Sequence, residues 1–218
     1  MLERYLSALS LQDAAAEPPA ATRERLKDRF PRGATRRMTQ LGLLVATALD
    51  EVPPAPADAV VYASTYAETR ALEDYLDSFP SASPTLFQTS IHPSAVQQAL
   101  IGKQHAVREF FPLTGRAHLV AHALQTAFLA PSPRVIFCGG EERGTWLLDR
   151  SAASDRSFAF ACALTTQPTA ALARVRLTAV PEDSAAELTV TQLFEVLTSR
   201  RPLDVTAAPG LHLKLDWS

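Results

Sequence analysis

The chain is short of glycine, of cysteine and of net charge. It has 8 glycines against 16 prolines in 218 residues. So few glycines leave little room for the loops that let backbone close on a phosphate or an acyl carbonyl. No G-x-x-x-x-G-K-[ST], G-x-G-x-x-G or G-x-S-x-G occurs, so the P-loop, the dinucleotide fingerprint and the nucleophile elbow are all missing. The 2 cysteines, Cys138 and Cys162, sit in apolar runs, lack C-x-x-C neighbours and suit a reducing cytoplasm. Lys plus Arg total 21 against 23 for Asp plus Glu, a net charge of -2 that offers nucleic acid no basic excess. No apolar run reaches the roughly 18 residues of a membrane span. The opening Met-Leu-Glu-Arg-Tyr-Leu has no secretory pattern. With 47% hydrophobic and 20% charged residues, the chain reads as one globular cytoplasmic domain, 1–218, needing no metal or disulfide to hold its core.

Periodicity gives the organisation. Residues 5–11 and 59–64 read as strands, the latter covered on both faces. Residues 22–30 suit a short helix inside a loop. Thr35 is placed to cap a helix to about Asp50, with Met38, Leu41, Leu44, Val45, Ala48 and Leu49 on one face. Thr65 and Glu68 form a capping-box pattern. Pro93 suits the first position of a helix that Gly102 ends. Residues 109–113 are extended, and Thr114-Gly115 turns into a helix over 116–130. Residues 134–138 form a strand ending at Gly139-Gly140. Residues 157–164 and 172–180 suggest an antiparallel pair. A helix near 190–200 and a strand near 211–217 close the chain. Strand and helix alternate through the middle, which predicts a mainly parallel α/β sheet with an antiparallel C-terminal part.

Chemistry-bearing residues are sparse. His118 and His122 share a helix face but lack the glutamate of H-E-x-x-H, which favours surface or packing histidines over a metal site. Cys138 has no basic neighbour to activate it. Glu141 and Glu142 read as a solvated turn. Arg36-Arg37-Met38 open an amphipathic helix, where the dipole does not favour cations. They are either a solvated first turn or a contact for an anion or a partner. His92 lies close in sequence to Thr89 and Ser90 and is a candidate base for Ser90, or for Thr114 if the fold brings the two together.

Several segments together resemble a family. They are Arg36-Arg37-Met38-Thr39-Gln40-Leu41, the strand VVYAS, SPTLFQTSIH at 83–92, the turn at Thr114-Gly115 and VIFCGGEE at 135–142. In this order they resemble the N-terminal half of a β-ketoacyl synthase of the thiolase fold. They are more closely similar to the short chain-length-factor-like proteins of aryl polyene and xanthomonadin-type pigment clusters. The resemblance covers roughly residues 5–180. It puts Gly115, within one position, where the family's nucleophilic cysteine stands, and it supplies no counterpart to the catalytic histidines of the family's second half.

The expected fold is therefore α/β. It is half of a thiolase-like fold, with a mixed, mostly parallel five-stranded sheet flanked by helices. An antiparallel part is added, and residues 181–218 form a helix and strand extension packed on it. The resemblance implies a non-catalytic partner of an active ketosynthase or acyl carrier protein, without cofactor or metal. Glu109, Phe110, Phe111, Leu113, Thr114 and Arg116 would form the partner edge, which also suits a homodimer. The alternatives are an acyl-thioester hydrolase or acyltransferase using His92 with Thr114 or Ser90, and an acyl-binding homodimeric scaffold.

Overall fold

The computed structural model describes residues 1–31, 33–181 and 186–218. Arg32, in the expected loop, and residues 182–185, at the start of the expected extension, lie outside the described residues. The chain opens with β1 (Leu2–Ala15), longer than its apolar stretch suggests, and then α1 (Pro19–Leu26). Next come α2 (Gln40–Glu51), β2 (Ala59–Ser64), α3 (Thr69–Asp77), α4 (Pro84–Ser90) and α5 (Ser94–Gly102). The edge β3 (Glu109–Thr114) is followed by α6 (Leu119–Leu129), β4 (Arg134–Glu141), β5 (Ser157–Thr165) and β6 (Ala173–Ala179). The chain ends with α7 (Val190–Ser199), β7 (Leu203–Ala208) and β8 (Leu211–Trp217).

One sheet runs β3-β2-β4-β5-β1-β6-β8-β7. β2 is parallel to both β3 and β4. β5 is antiparallel to β4 and to β1, so within the first five strands β5 alone opposes the rest. That is the mixed, mostly parallel five-stranded unit expected. β6, β8 and β7 continue it past β1, each antiparallel to its neighbour.

The pairing of residues 157–164 with 172–180 is corrected. β1 lies between β5 and β6, with Leu9 opposite Cys162 and Tyr5 opposite Arg174. β5 is buried along almost its whole length. A strand so covered needs a hydrogen-bonding neighbour on each side, and β4 and β1 supply them.

The pleat divides the core into two layers. On β4, Ile136 and Cys138 face α2 and α5, where Leu41, Leu44, Val45 and Val96 are buried. Val135 and Phe137 face the other way, toward Val120 and Leu124 of α6 and Leu193 and Phe194 of α7.

The helix ends differ from expectation where side chains find better partners. Thr39, not Thr35, caps α2 by accepting the Gly42 N–H at 2.9 Å, and residues 34–37 form a 3-10 turn. Glu68 precedes α3 without closing a capping box, because its carboxylate is spent elsewhere. Pro93 precedes α5 instead of opening it, and Gly102 is the last helical residue. His118, at φ +56°, delays α6 to Leu119. Thr189 and Gln192 form a full capping box on α7.

Candidate functional site at the β2 and β4 ends and the β3 edge

The parallel strands β2 and β4 end side by side, the usual place for function in an open α/β sheet. Here the ends are closed. Gly139 and Gly140 are buried inside β4. A Cβ on Gly139 would lie 2.5 Å from the Ala63 carbonyl oxygen, and one on Gly140 would lie 2.5 Å from that of Phe158. These glycines let strands pack closely and cradle no ligand.

Glu141 and Glu142 are buried, which corrects the reading of a solvated turn. Glu141 accepts from the Ser64 hydroxyl at 3.1 Å and from the N–H groups of Thr65 at 2.6 Å and Tyr66 at 3.1 Å. Burial pushes its carboxyl up to about 7, against those donors. Glu142 accepts the Gln40 N–H at 3.1 Å, while its Oε2 is buried without a partner. Burial pushes it up to about 8.

Two further carboxylates are buried: Glu73, which carries no sequence signal, and Glu68, expected only as a helix cap. Glu73 is fully buried and accepts from the Thr145 N–H at 2.9 Å, the Thr145 hydroxyl at 2.8 Å and the Leu147 N–H at 2.8 Å. Glu68 accepts the Ala95 N–H at 3.1 Å and meets His92 Nδ1 at 3.2 Å. Nothing in their local sequence separates them from surface glutamates on a helix. Only the GGEE run directly after a strand signalled that carboxylates could turn inward.

His92 is thus a clamped residue. Its ring stacks on Tyr62 with centroids 5.3 Å apart, and its Nε2 is buried without a partner. Ser90 donates to the Phe87 carbonyl at 2.8 Å, within its own helix. Thr114 is exposed at the end of β3. Among the described residues no hydroxyl or thiol is hydrogen-bonded to a histidine, so His92, Ser90 and Thr114 are not joined as base and nucleophile. Gly115 has φ +143° and open space beside it, so backbone strain, not crowding, disfavours a side chain there.

His118 meets the Ala207 carbonyl at 3.2 Å, and its ring stands edge-on to that of His122 at 6.3 Å. Among the described residues no group of three metal-ligating side chains gathers there or elsewhere. Cys138 and Cys162 are free and buried on opposite faces of the sheet. Burial pushes both thiols well above their ordinary range.

The candidate interface residues do share one place. Glu109, Phe110, Phe111, Leu113 and Thr114 lie on β3, the terminal strand of the sheet, which pairs only with β2. Pro112 interrupts its donors, as suits an edge. Arg116 follows the strand, stacks over the Tyr66 ring at 5.3 Å and donates to the Ser151 carbonyl. No helix among the described residues is long and apolar enough to cross a membrane.

No protein-family model matches the chain, and no curated protein does. Solved structures do. A ketosynthase in complex with its chain length factor from Xenorhabdus doucetiae matches with TM-score 0.65 at 15% identity, over 99% of this chain and 100% of that chain. The fold is that of the ketosynthases and their chain length factors. The ishigamide ketosynthase/chain length factor follows at TM-score 0.59 and 11% identity, over 82% of this chain and 68% of that one. A ketosynthase from module 6 of the bacillaene synthase of Bacillus subtilis 168 matches at TM-score 0.51 and 8% identity, over 84% of this chain but only 44% of its own. This ketosynthase-like fold fits the thiolase-type unit built by β1 to β5.

Proposed function

We propose that this chain is a non-catalytic, chain-length-factor-like partner of an active ketosynthase, which pairs with it through the β3 edge. The supporting observation is the end-to-end fold match to a chain from a ketosynthase–chain length factor complex. The bacillaene ketosynthase is matched over less than half its length, whereas the match to that chain covers 100% of it. Gly115 at the expected nucleophile position and the unconnected His92, Ser90 and Thr114 favour an interface role over covalent catalysis. The setting we infer is cytoplasmic assembly of a polyketide-type acyl chain, of the aryl polyene or xanthomonadin kind, on an acyl carrier protein. Phe79 and Phe87, each about half exposed beside Tyr75, add an aromatic surface such as partners bury.

The test is affinity capture of the tagged chain from its native host. Near-stoichiometric recovery of a ketosynthase supports the proposal, and recovery of the chain alone overturns it. Leu113→Arg and Arg116→Glu, checked for folding by circular dichroism, should abolish capture if β3 is the contact. Capture unchanged in both variants moves the contact away from β3.

A further inference from the structure

The Arg36-Arg37-Met38 segment takes no part in the strand ends or the β3 edge. It borders two adjoining cavities. The larger is a cleft of about 710 Å³ bordered by the segment itself, α2, α4 and α5. Phe30, Met38, Ala46, Ile91, Ala99 and Ile101 give it an apolar lining. Its size falls within the roughly 300–1,000 Å³ of small-molecule sites. Ile91 and Ile101 are 48% and 75% exposed on its rim, apolar surface beside an apolar cleft. Gly115 and Thr114 do not line it, so it is separate from the turn where the resemblance puts a nucleophile.

The second cavity, about 400 Å³, shares Arg37, Met38, Thr85 and Thr89 with the first. Arg23, Arg36, Arg37 and Arg70 line it, with Asp74 and Glu142. Arg70 is occupied by Asp74 at 3.1 Å and Glu73 at 3.4 Å. The other three arginines make no ion pair among the described residues. Arg23 Nε is buried with no hydrogen-bond partner, and its Nη2 reaches only the Met38 carbonyl at 3.4 Å. Burial keeps the Glu142 carboxyl largely protonated near neutral pH, so it offers these cations little counter-charge. Unpaired guanidinium groups beside a cavity suit a carboxylate or phosphate, which accepts their parallel N–H donors. An apolar cleft that shares Arg37, Met38, Thr85 and Thr89 with such a compartment matches one chemical class.

We propose that the two cavities together bind an anion-headed aliphatic chain, with the chain in the cleft of Met38, Ile91 and Ile101 and the carboxylate or phosphate against Arg23, Arg36 and Arg37. This does not rest on the ketosynthase-partner reading, because binding is measured on the isolated chain. Isothermal titration with dodecanoate and dodecyl phosphate should give saturable binding of one ligand per chain. Dodecyltrimethylammonium, with the same tail and opposite charge, should bind at least about tenfold more weakly. Stronger binding of dodecyl phosphate assigns the head site to a phosphate. Stronger or equal binding of dodecanoate assigns it to a free acid.

Arg36→Ala/Arg37→Ala alters only exposed side chains and should weaken both anionic ligands about tenfold or more, with less effect on the cation. Ile101→Asp, also at an exposed position, should weaken all three. No saturable binding, equal affinity for the cationic amphiphile, or anion affinity unchanged in the arginine double variant would each overturn the proposal.

Discussion

Glu141, the last residue of β4, accepts the amide hydrogen of Thr65, the first residue past β2, at 2.6 Å. One carboxylate therefore ties together the ends of two parallel strands. The chain beyond them must turn inward, and this carries Glu142 into the core beside the start of α2.

Burying these neighbouring carboxyls makes stability depend on pH. The folded chain keeps their protons to about 7 and about 8, while the ordinary value is 4.5. Between those limits the unfolded chain binds fewer protons than the folded one, so stability falls as pH rises from about 4.5 to about 8. Glu142→Gln keeps the shape without the ionisation. It should raise the unfolding free energy measured in urea by up to about 4 kcal/mol at about pH 8, and by less than about 1 kcal/mol at about pH 5. Equal losses at both pH values would show that Glu142 is charged when folded.

Gly139 marks a backbone contact that no side chain can share. Its Cβ would meet the Ala63 carbonyl at 2.5 Å and the Phe160 ring at 2.8 Å. Gly139→Ala is expected to cost about 3 kcal/mol and to lower Tm by roughly 6–12 °C. Calorimetry of the variant checks this, and a Tm within a degree or so of the parent would show that the strands can move apart.

Phe158 on β5 and Phe194 on α7 stack with centroids 4.4 Å apart, both fully buried. Phe194→Ala should cost about 3–5 kcal/mol. If α7 and the strands after it belong to the same cooperative unit, the variant unfolds in a single transition. A separate early transition, seen in a Trp146→Phe background as loss of Trp217 fluorescence anisotropy before the main change in circular dichroism, would make α7, β7 and β8 an independent layer.

The thiols should be silent. Cys138 and Cys162 are buried and held protonated by their apolar surroundings. Iodoacetamide at neutral pH should label neither in the native chain and both in denaturant. Native labelling within minutes would reveal local opening of β4 or β5.

The legible parts were those where burial follows a simple period. Residues 59–64 read as a strand covered on both faces, and β2 is buried at every position. Residues 211–217 coincide with β8, and the stripe of Leu41, Leu44, Val45, Ala48 and Leu49 fixed α2. β7 escaped notice because LDVTAA is half exposed and weakly patterned, and α4 did because SPTLFQTS is rich in turn formers. Which strands pair was beyond local pattern: nothing near residues 166–171 indicates that β1 stands between β5 and β6. The candidate site divided in the same way. The family resemblance, and no local pattern, put residues 109–113 at an edge, and the inward turn of Glu141 and the clamp of Glu68 on His92 depend on groups distant in the chain.

The position of β1 also sets a clock. Among the described residues, β1 pairs only with Ser157–Thr165 and with Ala173–Ala179, both far along the chain. During most of translation it must wait with both edges unpaired, and strands in that condition recruit wrong neighbours. Contacts of such long sequence separation also slow the search for the native pairing. β1 can therefore dock only after β5 has been made, and a nascent chain arrested before residue 157 would present it to chaperones as an open strand.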